Sequence, residues 1–238
     1  MKMLKTLILF TRSLIFYIGH YAIIVVFSLI GLLLTPTPLK LRLKFMRLGV
    51  KLCLFWLKVS CNISHKVHNI ECIDSSKPSI ILSRHESTWE ALAFHAIFPL
   101  QINVVKKELK KIPFFGLILS TIESIVIDRK QALKAIKYIK RKGSQALKHG
   151  FWVVIFPGGT RVLPGEPSQI QSGGLIFAKQ MKVPVYLVTH NAGTVWPKGT
   201  LIKYPGTIDI YIKPLDDVEN QTLQTIRTEA QDWFQEKY

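Results

Sequence analysis

His85 and Glu90, in the segment Ser83-Arg84-His85-Glu86-Ser87-Thr88-Trp89-Glu90, have the residue types and spacing in this chain that best suit acid–base chemistry. A carboxylate held on one ring nitrogen of a histidine fixes its tautomer and stabilises the imidazolium. The other nitrogen can then take a proton from a hydroxyl near neutral pH. Among 7 histidines and 15 acids such a spacing also arises between solvated surface side chains, so the pair gains meaning from its surroundings.

Three more clusters could hold an anion. Lys106-Lys107-Glu108-Leu109-Lys110-Lys111 runs straight into Ile112-Pro113-Phe114-Phe115-Gly116, an apolar turn that is unusual in an exposed loop. Asp128-Arg129 and Pro157-Gly158-Gly159-Thr160-Arg161 follow. A Gly pair beside Thr160 and Arg161 offers backbone N–H groups and a guanidinium to a phosphate. Plainer readings stand next to these: a solvated charge run, an ion pair of Arg129 with Asp128 or Glu123, and a simple turn.

The elements that must position these residues are legible as alternating patterns. Short apolar runs predict strands over Lys66 to Glu71, Ser79 to Ser83, Ile102 to Lys106, Ile125 to Asp128, Trp152 to Phe156, Val185 to Thr189 and Ile208 to Lys213. Helical patterns lie over Thr88 to Phe98, Phe114 to Ser120, Gln131 to His149, Gly173 to Gln180 and Glu219 to Lys237. The alternation predicts an α/β sheet with helices on its faces, and ligands in such folds gather at the ends of strands. His85, Lys106, Arg129 and the Gly158-Gly159 pair each follow a predicted strand. No low-complexity linker divides residues 61–238, which read as one catalytic-sized domain behind an N-terminal extension of residues 1–60.

That extension is distinctive. It holds nine Lys or Arg and no acid, in a chain of 238 residues with net charge +17. Its most apolar stretch, Leu14 to Leu34, is 21 residues long; as a helix it would span about 32 Å, against a hydrocarbon core of about 30 Å. Thr35-Pro36-Thr37-Pro38 stops it. Leu39 to Lys58 then reads as a basic amphipathic helix able to lie in a membrane interface, its cations against anionic head groups. Cations flank the apolar run on both sides, so their distribution does not separate a span from a hairpin in one leaflet. Cys53, Cys61 and Cys72 have no metal or redox spacing and suit a reducing compartment. The lysine-rich helix around Lys134 to Lys142 could meet nucleic acid, but no recognition motif accompanies it; an acidic carrier protein or anionic lipid would serve equally.

In their order these clusters resemble the 1-acylglycerol-3-phosphate acyltransferase family, over roughly residues 60–215. His85 to Glu90 is similar to its H-x4-D/E motif, Lys106-Lys107-Glu108-Leu109 with Ile112-Pro113 to its K-x-E-L-x-x-I-P segment, and Ile127-Asp128-Arg129 to the second motif. Phe156-Pro157-Gly158-Gly159-Thr160-Arg161 resembles F-P-E-G-T-R, Val183-Pro184-Val185 the fourth motif, and His190-Asn191-Ala192-Gly193 with Trp196 its bacterial continuation. The resemblance implies a mixed, mostly parallel sheet flanked by helices, the glycerolipid acyltransferase fold, behind a two-helix membrane-associating segment.

It also implies roles. Glu90 orients His85; His85 deprotonates the free hydroxyl of a lysophospholipid; the oxygen attacks a thioester, from acyl-CoA or acyl carrier protein. Lys106, Arg129, Arg161, Gly159 and Thr160 hold the acceptor phosphate, and Pro184 walls the acyl site. Neither a cofactor, nor a metal, nor nucleic acid is implied. The expected location is the cell inner membrane with catalysis on the cytoplasmic side. Two positions depart from the pattern: Gly158 stands where the third motif has glutamate, and Glu86 replaces the usual amide after the histidine. Glu166 is a candidate substitute for the missing acid. Gly158 leaves open another lysolipid or glycerol 3-phosphate as acceptor, or a weakened lipid-binding homologue.

Overall fold

The computed structural model describes residues 2–236. Seven strands, β1 (Ile63–His68), β2 (Ile80–Ser83), β3 (Gln101–Lys106), β4 (Ile125–Ile127), β5 (Trp152–Ile155), β6 (Val185–His190) and β7 (Gly206–Leu215), form one sheet in the order β1-β7-β6-β2-β5-β3-β4. Every neighbouring pair is parallel except β6 with β7. The mixed, mostly parallel sheet is therefore present. β2, β5 and β6 are buried along their whole length, as continuous apolar runs in parallel sheets require.

β1 lies about three residues earlier than predicted. Ile63 pairs with Gly206 and His68 with Tyr211, and a 3-10 turn over Ile70–Cys72 takes the end of the predicted run. The partner strand sets this register, not local apolarity.

Alternate strand residues face two cores. Ile80, Leu82, Val153, Ile155, Val185 and Leu187 pack with residues of α5 (Ala132–Lys148), α6 (Ser172–Met181) and α8 (Leu223–Glu236). Ile81, Trp152, Val154, Tyr186 and Val188 pack with α3 (Trp89–Ile97) and with the short α7 (Ala192–Val195), which is one turn long and leaves no periodic signal. The second core also takes Phe16, Leu57 and Cys61 from the N-terminal hairpin of α1 (Lys2–Leu33) and α2 (Leu39–Cys61). α4 (Phe115–Thr121) packs on α1.

α1 is long and apolar enough to cross a membrane. It ends where Thr35 and Thr37 turn their hydroxyls back onto the carbonyls of Leu32 and Leu34, both at 2.7 Å.

α2 differs from a helix that merely floats in an interface, because its cations divide by type. Lys40, Lys44, Lys51 and Lys58 are exposed. The arginines of the hairpin turn inward, onto carbonyls at helix ends. Arg12 Nε donates to Ser60 O (2.7 Å) at the end of α2, Arg42 to Thr121 O (2.5 Å) and to Glu123 (2.8 Å) after α4, and Arg47 to His95 O (2.8 Å) and Phe98 O (2.5 Å) after α3. The last carbonyls of a helix lack intrahelical partners, and a planar guanidinium can reach two of them, which an ammonium on a flexible stem does poorly.

Candidate active site

His85 follows β2, and Glu90 sits in the first turn of α3. His85 Nδ1 lies 2.7 Å from Glu90 Oε1. The same oxygen accepts the backbone N–H groups of Glu86 and Ser87, each at 2.8 Å. A carboxylate only accepts, so Nδ1 carries the proton and Nε2 the lone pair. The His85 ring stacks on Phe156 with centroids 4.4 Å apart and remains 18% exposed, while Glu90 is fully buried. Burial would push the Glu90 carboxyl up; the nearby His190 and His85 and the Ser87 N–H outweigh it and hold it below the usual carboxylate range. His190 Nε2 is 3.9 Å from Glu90 Oε1.

His85 opens onto a cavity of about 550 Å³. At its polar end stand Lys106, Arg129, Thr160 and Arg161, all expected there, and Lys198, which was not. Arg161 Nη1 donates to Thr88 Oγ1 (3.0 Å), and Lys198 Nζ donates to Arg161 O (3.0 Å). Lys198 follows Trp196-Pro197 directly, and that adjacency to the last recognised motif was its only sequence signal. Arg129 has neither proposed ion-pair partner: Asp128 binds Lys107 and Glu123 binds Arg42. Apolar lining comes from Ile24 and Phe27 of α1 and from Met46 and Val50 of α2. An anion-binding mouth beside a histidine base, continuous with an apolar groove, suits an amphiphile with a charged head and a reactive hydroxyl.

Residues 64–191 match the acyltransferase family. The chain is 35% identical over 230 residues to the 1-acyl-sn-glycerol-3-phosphate acyltransferase of Pseudomonas aeruginosa, covering 94% of this chain and 89% of that protein. This chain belongs to the 1-acylglycerol-3-phosphate acyltransferase family. The protein of that name from Saccharomyces cerevisiae is 28% identical over 157 residues, 64% of this chain and 52% of its own. In fold this chain is similar to the crystal structure of the 1-acyl-sn-glycerophosphate acyltransferase from Thermotoga maritima, with a TM-score of 0.78, 22% identity, and coverage of 100% of this chain and 96% of that one.

Several details of this acyltransferase differ from what its motifs imply. Pro184 stands at the N-terminal end of β6, where its carbonyl accepts the Ile80 N–H (2.9 Å). That is the opposite end of the sheet from His85, and Pro184 does not line the cavity. The Gly159 N–H closes a turn onto Phe156 O (2.9 Å), so it is not aimed at a phosphate. What Gly159 supplies is φ +70, with Arg129 Nη1 beside it at 3.8 Å from where a Cβ would be.

The acids flanking the motifs are also committed elsewhere. Glu86 is buried, accepting Arg84 Nε (2.6 Å) and the Gly193 N–H (3.1 Å). Arg84 continues to Glu166 O (2.6 Å), so this pair ties the 162–166 loop to α7. Glu166 turns its carboxylate onto its own loop, accepting Leu163 N–H (3.0 Å), and does not substitute for the missing glutamate. At Gly158 a Cβ would point at Ser168 Oγ, 2.6 Å away. Here the 168–171 loop fills the space that a side chain at 158 would enter.

Proposed function

We propose that this chain transfers an acyl group from a thioester to the free hydroxyl of 1-acylglycerol 3-phosphate, giving phosphatidic acid for phospholipid synthesis. The observation that carries this reading is the His85–Glu90 pair at the junction of a cationic mouth and an apolar groove. His85 Nε2 takes the hydroxyl proton as the acceptor oxygen bonds to the thioester carbonyl carbon. The imidazolium that forms is stabilised by Glu90. The C–S bond then breaks, and the departing thiolate regains the proton from His85. Thioesters are already activated, so positioning and deprotonation are the main tasks, with no covalent enzyme intermediate.

Lys106, Arg129, Arg161 and Thr160 are the residues proposed to hold the acceptor phosphate, with Lys198 joining them. The donor is acyl-CoA or acyl carrier protein, and the catalytic apparatus needs no further cofactor or metal. Nucleic acid is not a partner. The reaction takes place at the cytoplasmic face of the inner membrane, where acceptor and product both reside; the apolar α1 supports attachment there.

The test is acyl transfer to lysophosphatidate in mixed micelles. His85→Ala lowers the rate roughly hundredfold or more. Wild-type protein no faster than that variant would overturn the reading.

A further inference from the structure

The segment between β3 and α4 carries a feature that acid–base chemistry does not use. After the 3-10 turn Lys107–Lys111, Phe114 adopts φ 60, ψ −48. The Phe115 N–H donates back to Pro113 O at 2.6 Å. This is a γ-turn of positive φ, the rare and strained form, on a bulky residue. Such strain persists only where surrounding structure imposes it, and it marks functional positions. Two contacts hold it: Ser28 Oγ of α1 donates to Phe114 O (3.0 Å), and Gly116 lets the backbone close on Lys110, whose carbonyl would clash with any Cβ there.

What the turn presents is apolar. Ile112, Phe114 and Leu117 are 42%, 39% and 38% exposed. They lie beside the last turns of α1, where Leu29, Ile30, Leu32 and Leu33 are also exposed. Gly31 of α1 faces Thr121 of α4, whose methyl lies 3.4 Å from where a Cβ at position 31 would be. Exposed Lys110 and Lys111 flank this apolar tip. On the inner side, Leu109, Pro113 and Phe115 line the cavity together with Ile24 and Phe27 of α1.

We infer that residues 110–117 form a second membrane-contacting element, which seats Phe114 in an anionic bilayer beside α1. Lysines at head-group level and an aromatic tip at the acyl boundary match the chemistry of such a surface. The inference rests on α1 being membrane-attached, and the experiment separates the two.

In full-length Cys72→Ser protein, an environment-sensitive fluorophore is placed at Phe114→Cys, at Ile18→Cys on the exposed face of α1, or at Leu133→Cys, exposed on α5. Vesicles of phosphatidylcholine and phosphatidylglycerol carry quenchers in their acyl chains. Quenching at 114 comparable to that at 18, and absent at 133, is expected. Quenching at 18 with none at 114 overturns the wedge while leaving α1 attached. Absence at both positions overturns the attachment and the wedge with it. Phe114→Asn, which tolerates positive φ, is expected to melt no lower than wild type yet lose roughly tenfold in rate on vesicle-borne acceptor; an unchanged rate also counts against the wedge.

Discussion

A side chain at position 158 would begin 2.6 Å from the Ser168 hydroxyl, and this changes how the missing glutamate is understood. Gly158 itself has no positive φ, so its backbone would admit any L-residue. The obstacle is space. Gln171 N donates to Pro157 O at 2.9 Å and holds the 168–171 loop against the motif. Gly158→Glu is therefore expected to cost about 1–3 kcal/mol by overpacking, with no gain in acceptor affinity. Adding Ser168→Gly should return most of that stability, a coupling readable from denaturant midpoints of the two single variants and the double. Additive losses would show that the two positions do not share space. The same scale explains Glu86: beside a histidine it looks like a second catalytic acid, but Arg84 and the Gly193 N–H already occupy it.

Among the elements, α3 is the one whose placement matters most, since it carries Glu90. Its N-terminal turn is pinned by the hydrogen bonds Glu90 makes to the amides of Glu86 and Ser87. Its C-terminal carbonyls are held by Arg47 of α2. The hairpin thus grips the far end of the helix that orients His85. Arg47→Lys keeps the charge but loses the fork that reaches His95 O and Phe98 O together. A loss of about 1–3 kcal/mol follows, measured by thermal or urea unfolding in detergent micelles, whereas Lys44→Arg on the exposed side of α2 should change little. Equal stability of Arg47→Lys and wild type would contradict the capping role.

At the level of the whole molecule, the hairpin and the sheet close one cavity, and the join is sensitive to acid. His95, on the cavity wall, is pushed down to about 4 by burial and then by the neighbouring Arg47 charge. The unfolded chain binds a proton at His95 near its ordinary value of 6.5 while the folded protein does not. Stability is thus complete above pH 6.5 and falls as pH drops toward 4. Glu90, held below its ordinary 4.5, adds a second loss below that pH, as the folded carboxylate is finally protonated. Melting temperature followed from about pH 7 to about pH 4 should decline throughout. His95→Gln should make the decline above about pH 4.5 shallower, leaving the share of His65, which burial also holds low, and the part below it; an unaltered upper limb would rule His95 out.

Strand order of appearance, the helices between strands, the helix stop at Pro36-Pro38 and the clustering of His85, Lys106, Arg129 and Arg161 were all readable along the chain. They rest on local signals: period, turn residues and motif order. The family could be named from the same motifs. Which nitrogen of His85 carries the proton, the commitment of Glu86 to Arg84, the inward turn of Arg12, Arg42 and Arg47, and the place of Pro184 at the wrong end of its strand were not. Each depends on a partner that packing supplies, such as Phe98 for Arg47 or Ile80 for Pro184. An arginine in a basic amphipathic helix has the same local signature whether it faces a lipid head group or an orphan carbonyl, and only the packing of α2 on α3 and α4 separates the two.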